Sequence, residues 1–419
     1  MLGWQSRGLL SEGARRLKQL IDRAEATNYP KDATYRWACQ NYCHLSLYSG
    51  GWTPEVAERL DETAQLSEQA GDAACLAQCR SVEGVFLAVT GQLERAGKVF
   101  KEVLQIAREG RAHYEQGTAF RNLASVHNNL PNSQKPLAEY LSQGMEHAEQ
   151  HHLETVKGSL LLLNAEQLLG QRRFAEARTY LDQAEEIFNK YGLVKDLAFV
   201  HRIRGLVAYV GTTPGSAGSN EQLDLAAANW EMGSRMMAGN VVNRTMDLLL
   251  PQMGDIYLAK GELDAAEAFF RTGIQRAEQE QIKPLIINGN LGLGRTLFAL
   301  GEYEQALLNL STAFRMTEMP TVWCLVLEVA AATLGRLGLD VNAVRLWGKA
   351  EADRDNLKVT RYPVYAEYIE PEITKVHARV GEAEFRKIFE EGKTITRNEV
   401  QELMTMPQNE VVGHVLKSS

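Results

Sequence analysis

Residues 261–273, GELDAAEAFFRTG, and residues 301–313, GEYEQALLNLSTA, lie 40 positions apart and are nearly the same phrase. A repeat at that interval constrains the fold more than any other feature of the chain. Its core is an Ala that follows a Gly-rich or polar turn and precedes a large residue four positions on. It recurs at Ala57, Ala96, Ala138, Ala177, Ala226, Ala266, Ala306 and Ala343, at intervals of 39, 42, 39, 49, 40, 40 and 37. Six copies place the large residue: Phe100, Leu181, Trp230, Phe270, Leu310 and Trp347. The first copy has Asp61 there, and the third has Ser142 with Leu141 one position early. Small residues stand twelve positions upstream in the better copies, at Gly84, Ala165, Gly254, Gly294 and Ala331.

Physically, each copy is a pair of antiparallel helices. The first helix carries the small residue where its neighbour comes close. The turn carries Gly91, Gly261, Gly301 or Gly338, which take positive φ without strain. The second helix sets Ala and the large residue at i and i+4, on one buried face. One pair cannot bury its apolar side alone, whereas stacked pairs share a continuous core. The pattern therefore predicts an all-α protein, a right-handed α-solenoid of about 18–20 helices. We expect one solenoid over 1–419: a partial repeat in 1–30, repeats of about 40 residues in 31–350, and capping helices with a tail in 351–419. GTTPGSAGSNE at 211–221 accounts for the 49-residue interval and is expected to be a loop. LPNSQKP at 130–136 and NLKVTRYPVY at 356–365 are further interruptions.

The patterns Gly254, Tyr257, Gly261, Ala266, Phe270 and Gly294, Leu297, Gly301, Ala306, Leu310 resemble the tetratricopeptide repeat (TPR), as does Gly84, Leu87, Gly91, Ala96, Phe100. GWQSRGLLSEGARRLKQLID at 3–22 resembles the opening of the helical sensor region in large bacterial regulators of the LuxR-type, MalT-like or related STAND class (signal-transduction ATPases). AVRLWGKAEADRDNL at 343–357 and VGEAEFRKIFEEGKTITRNEVQEL at 380–403 resemble its closing segments. The resemblance implies a sensor or interaction module of a bacterial transcriptional regulator or signalling ATPase. The other reading is a stand-alone TPR adaptor or chaperone-like scaffold. Met1 falls inside a repeat, so either an excised domain or a short gene derived from one is expected.

Charge and composition narrow the partners. Lys and Arg number 45 against 53 Asp and Glu, for a net charge of −8. An acidic chain without a dense basic block is a poor candidate for direct nucleic-acid binding, whose affinity comes largely from neutralising phosphates. No apolar run approaches the roughly 18 residues of a membrane span, and the N-terminus has charges where a signal peptide is apolar. A cytoplasmic protein is expected, with no membrane partner.

The chemical motifs fall to simpler readings. EEGKTIT at 390–396 contains Gly-Lys-Thr, but a phosphate-binding loop needs a Gly where Lys387 stands. The glycines of GNLGLGRT at 289–296 lie in a first helix and read as close-packing residues. His147 and His151 are spaced to share a metal ion, without further ligands in view. Cys39, Cys43, Cys75 and Cys79 form two i, i+4 pairs in adjacent first helices and read as small buried hydrophobes, their spacing lacking the tight knuckles of a zinc site. We expect no catalytic residue, metal or cofactor.

First helices of such a solenoid line its concave face, where ligands bind. Helix phase directs Tyr42, Arg121, Arg202, Tyr209, Asp255, Asn288, Arg295 and Phe298 there, with Ser81 and Glu166 among them. This mixture of guanidinium, carboxylate and aromatic groups suits a protein or peptide partner or a small-molecule effector.

Overall fold

The computed structural model describes residues 10–49, 52–130, 133–212, 219–237, 250–279, 282–317, 320–357 and 363–405. The regulator-like opening before residue 10 and the middles of the three interruptions lie outside these residues. The described residues form 20 helices and no strand. Two compact units divide them: Met1–Gly211 with Ala228–Met246, and Thr212–Ala227 with Asp247–Ser419.

The first unit contains α1 (Leu10–Ala26), α2 (Ala33–Tyr48), α3 (Pro54–Gln69), α4 (Ala73–Val89), α5 (Leu93–Glu109), α6 (His113–Asn128), α7 (Gln134–Gln150), α8 (Glu154–Gly170), α9 (Phe174–Tyr191) and α10 (Val194–Gly211). It also holds the C-terminal part of α11 (Ser219–Met237), whose first part belongs to the second unit. The second unit continues with α12 (Leu250–Ala259), α13 (Leu263–Gln279), α14 (Lys283–Leu300), α15 (Tyr303–Met316), α16 (Pro320–Arg336), α17 (Asp340–Leu357), α18 (Pro363–Val380), α19 (Glu382–Gly392) and α20 (Arg397–Thr405).

Local chemistry starts and stops these helices. Asp32 and Asp72 cap α2 and α4 by accepting from the amides of Tyr35 and Cys75, and Thr53 with Pro54 opens α3. The turns inside pairs use the left-handed region: Gly261 has φ 77° and Gly301 has φ 86°. Each then returns a backbone bond to the end of its first helix, as Glu262 N donates to Tyr257 O at 2.9 Å. None of the described helices is long and apolar enough to cross a membrane.

Within a pair, the large residue of the second helix is seated on the small residue of the first. A Cβ placed on Gly84 would stand 2.6 Å from the Phe100 ring, on Gly254 2.7 Å from Phe270, and on Gly294 2.7 Å from Leu310. Trp230 is seated in the same way on Gly205. Ala96, Ala177, Ala226, Ala266, Ala306 and Ala343 are all fully buried beside these pegs.

The two irregular copies resolve as a one-residue slip. Ala138 is exposed and Ala57 half-buried, while Val56 and Leu60, and Leu137 and Leu141, are buried. The buried i, i+4 pair thus begins one position earlier than the Ala in both copies. That removes Asp61 and Ser142 from the core, where an unpaired carboxylate is costly. The last copy departs differently: Leu346 and Val344 are its fully buried residues, and Trp347 is only partly buried against them.

The glycines that mimic phosphate loops are packing residues. Gly292 approaches the Phe270 ring, and Gly289 approaches Ile274. Gly392 lies where a Cβ would be 2.4 Å from the Arg345 carbonyl, and Gly348 faces the Phe389 carbonyl at 2.3 Å. These two glycines let α17 and α19 touch backbone to backbone. Arg397 then closes the end of α15, donating to the carbonyls of Phe314 and Thr317 while stacking 4.8 Å from the Trp323 ring centre.

Candidate functional site

The first helices of the first unit surround a cavity of about 200 Å³, reached by side chains of α1, α2, α4, α6, α8 and α10. The ring closes where Lys195, at the start of α10, lies 4.0 Å above the ring of Tyr48, at the end of α2.

Two rows of side chains, one position per repeat, line it. The upper row runs Gln40, Gln78, Glu115, Thr155. Gln78 donates to Glu115 at 2.6 Å, and Glu115 is otherwise buried. Gln40 is only 2% exposed, and its amide oxygen has no hydrogen-bond partner among the described residues. An unpaired buried acceptor costs about 1–3 kcal/mol, and a ligand N–H or water in the cavity would recover it.

The lower row runs His44, Ser81, Arg121, Ser159, Asp196. Arg121 makes no hydrogen bond or ion pair with any described residue, and its neighbours one repeat away are hydroxyls. Burial pushes the His44 imidazole down to about 3, helped by the charges of Lys195 and Arg121, so it is neutral at pH 7. Burial raises the Asp196 carboxyl, with Lys195 and Arg121 pulling the other way. The cavity therefore presents two cations, the carboxyls of Glu115 and Asp196, a neutral imidazole, an unpaired amide oxygen and an apolar rim from Leu10, Val156 and Leu193.

Of the residues placed on the concave face by sequence, Arg121 and Ser81 line this cavity. Tyr42 is buried in the core with Cys39 and Cys43. Tyr209 is half-buried on α10. Arg202 pairs with Glu166, which also accepts from Asn128 at 3.4 Å, and its guanidinium lies 5.4 Å from the Phe199 ring. In the second unit, Arg295 is 4% exposed and donates to Asp255 at 2.7 Å. Burial raises the Asp255 carboxyl, and Arg295 opposes that shift. Phe298 belongs to the core cluster, whereas Asn288 is exposed.

These pairs share a rule. Arg36 and Asp72, Glu166 and Arg202, and Asp255 and Arg295 are 36 to 40 residues apart. Each joins two successive first helices; Asp255 and Arg295 stand one 40-residue period apart, whereas Asp72 is the N-cap of α4 and reaches back to Arg36 in α2. An Arg with an acid one repeat away is neutralised by it; Arg121, with Ser81 and Ser159, is not. Helix phase alone missed Gln40, His44, Lys195 and Asp196; reading the row one repeat at a time finds His44 and Asp196.

The four N-terminal thiols are buried and free of disulfides. Cys43 donates to the Val56 carbonyl at 3.5 Å, and burial pushes its thiol up to about 12. Among the described residues, one group of donors sits close enough to hold a metal: His113 joins His147 and His151, which sequence spacing had left without a third ligand.

A tetratricopeptide-repeat family model matches residues 252–280, which span most of α12 and all of α13. The chain has no significant match among curated protein sequences. Among solved structures it is similar to a Rap protein complexed with competence and sporulation factor, at 13% identity and a TM-score of 0.54 over 91% of this chain and 99% of that one. It is also similar to a signal-transduction ATPase with numerous domains (STAND) and a tetratricopeptide-repeat sensor from Pyrococcus horikoshii, at 14% identity and a TM-score of 0.53. That likeness covers 92% of this chain but 54% of the other, so this chain spans about half that ATPase's length. The fold defines an all-α solenoid of TPR-like helix pairs. Within that class, helices of this kind make protein-interaction and sensor modules.

Proposed function

We propose that this protein is a non-catalytic recognition module that captures the carboxylate end of a peptide, or a small carboxylate effector, in the cavity of its first unit. The observation that carries this is Arg121, a cation lining a partly open cavity with serines one repeat away and no direct ion pair, Asp196 lying farther round the same wall. A guanidinium takes a carboxylate through two parallel N–H donors. Ser81 and Ser159 add hydroxyl donors beside it, Lys195 adds a second cation, and the Gln40 oxygen accepts an amide N–H. A cavity of about 200 Å³ takes a single residue, so a peptide's terminal residue would enter while the rest lies along the first helices.

The neighbours support a sensor reading: one was captured with a competence and sporulation factor, and the other carries its repeats as a sensor. In that setting the chain acts in a bacterial transcriptional regulator or signalling ATPase of the LuxR-type or MalT-like kind, and binding changes the output of whatever domain it serves. A peptide or small effector of this kind fits a cytoplasmic protein with no direct nucleic-acid contact.

The test uses N-acetylated amino acids and tripeptides, each with a free or an amidated C-terminus. Thermal shift identifies binders and calorimetry ranks them. Free carboxylates should bind and their amides should not, and Arg121→Met should weaken the best binder by roughly tenfold to a hundredfold. Binders that tolerate amidation and Arg121→Met alike would refute the reading.

A further inference from the structure

Away from the cavity, three imidazoles from two helices converge. His113 is the first residue of α6, His147 lies in the last turn of α7 and His151 is its C-cap. One donor atom of each lies within 4.8 Å of those of the others. The rings of His113 and His151 stack at 3.7 Å with 16° between planes, and the His147 ring stands 4.5 Å from that of His151. We propose that His113, His147 and His151 form a binding site for a borderline divalent transition-metal ion of the zinc class.

The donor chemistry selects that class. Three neutral imidazoles suit zinc, nickel or copper and offer nothing to calcium or magnesium. Among the described residues no carboxylate or thiol joins the three donors, so the set is nitrogen alone. His147 is also oriented as a bound imidazole would be. Its Nε2 lies 3.0 Å from the backbone carbonyl of His113. A carbonyl only accepts, so the proton sits on Nε2 and the Nδ1 lone pair is left for a ligand. A metal-binding histidine commonly has its second nitrogen fixed by such a carbonyl.

The packing leaves room for closure. His147 is buried beneath Phe120 and Gly117, His151 is half-buried, and His113 is exposed. Tetrahedral zinc–nitrogen bonds place donors about 3.4 Å apart. Contraction to that size needs side-chain rotation, which the exposed His113 and the half-buried His151 have room for around the buried His147, and water would complete the shell on the open side. The ion would tie the start of α6 to the end of α7. Tyr114 and Glu115, the next two residues of α6, line the cavity, so occupancy of the metal site fixes one wall of it.

The test uses the full chain after chelator treatment, with Zn2+ titrated by calorimetry and Co2+ followed by absorption. One equivalent of Zn2+ should bind and raise the melting temperature. His113→Ala and His151→Ala should each weaken binding by roughly tenfold or more, whereas His152→Ala should not. His113 is exposed, so its loss should leave the metal-free melting temperature unchanged. The Co2+ spectrum should lack a thiolate charge-transfer band. Absence of saturable binding, binding indifferent to His113→Ala and His151→Ala, or a thiolate band assigning the metal to Cys39, Cys43, Cys75 or Cys79 would each overturn the proposal.

Discussion

The two units are built from the same helix pair, yet their first helices do different things. In the second unit, α14 is buried on nearly every side: from Leu285 to Phe298 only Asn288 is exposed. Its one inward guanidinium, Arg295, is closed by Asp255, and on α16 the buried Glu328 is closed by Arg354 of α17. In the first unit, the corresponding faces of α2, α4, α6 and α8 are polar, surround a cavity and leave Arg121 without a direct ion pair, its charge felt by Asp196 across the cavity. One repeat can therefore give a core or a receptor. What decides is whether an acid stands within reach on the next first helix, because that is the neighbour a long side chain meets.

Several experiments sharpen that contrast. The packing shared by both units should be equally costly to remove. Phe100→Ala in the first and Phe270→Ala in the second, each seated on a glycine, should destabilise by about 3–5 kcal/mol in chemical denaturation. Arginines should then separate the units. Arg295→Met strands Asp255 and should destabilise by about 2–3 kcal/mol, whereas Arg121→Met breaks no direct ion pair and should cost less, about 0.5 kcal/mol. Equal costs would erase the distinction between closed and open rows.

His44 gives a smaller effect, read through pH. Its folded form resists protonation, with the imidazole held at about 3 against an ordinary 6.5. The folded protein therefore binds fewer protons than the unfolded chain in that window. The stabilisation is complete above about pH 6.5 and is lost as pH falls towards 3. Between pH 6.5 and 5 it should amount to at most about 2 kcal/mol, and His44→Asn should flatten that part of the stability curve.

Much of this was legible in the sequence. The 40-residue interval, the Ala at the head of each buried pair and the turn glycines lead directly to stacked helix pairs, because each is a packing requirement that a sequence must spell out. The slips at Ala57 and Ala138 were visible as the misplaced Asp61 and Ser142, since Val56 and Leu137 carry the burial instead. The site was harder. Helix phase says which residues face inward, but not which are already paired, and Arg202 and Arg295 look the same as Arg121 until Glu166 and Asp255 are counted. The cavity wall at Leu193–Asp196 was not legible, because it depends on how far four helix pairs curve before α10 meets α2. His113 escaped for a related reason: it is 34 residues from His147 and joins it only through the packing of α6 on α7.

The central claim is that serines flanking Arg121 leave its charge open for a ligand. Ser81→Asp tests it most directly, by supplying the acid that the closed rows possess. The affinity of the best free-carboxyl probe is titrated against parent and variant at fixed salt. The account predicts that Ser81→Asp pairs with Arg121, weakens the probe by roughly tenfold or more and leaves stability unchanged or slightly higher. A variant that binds the probe as tightly as the parent would contradict it.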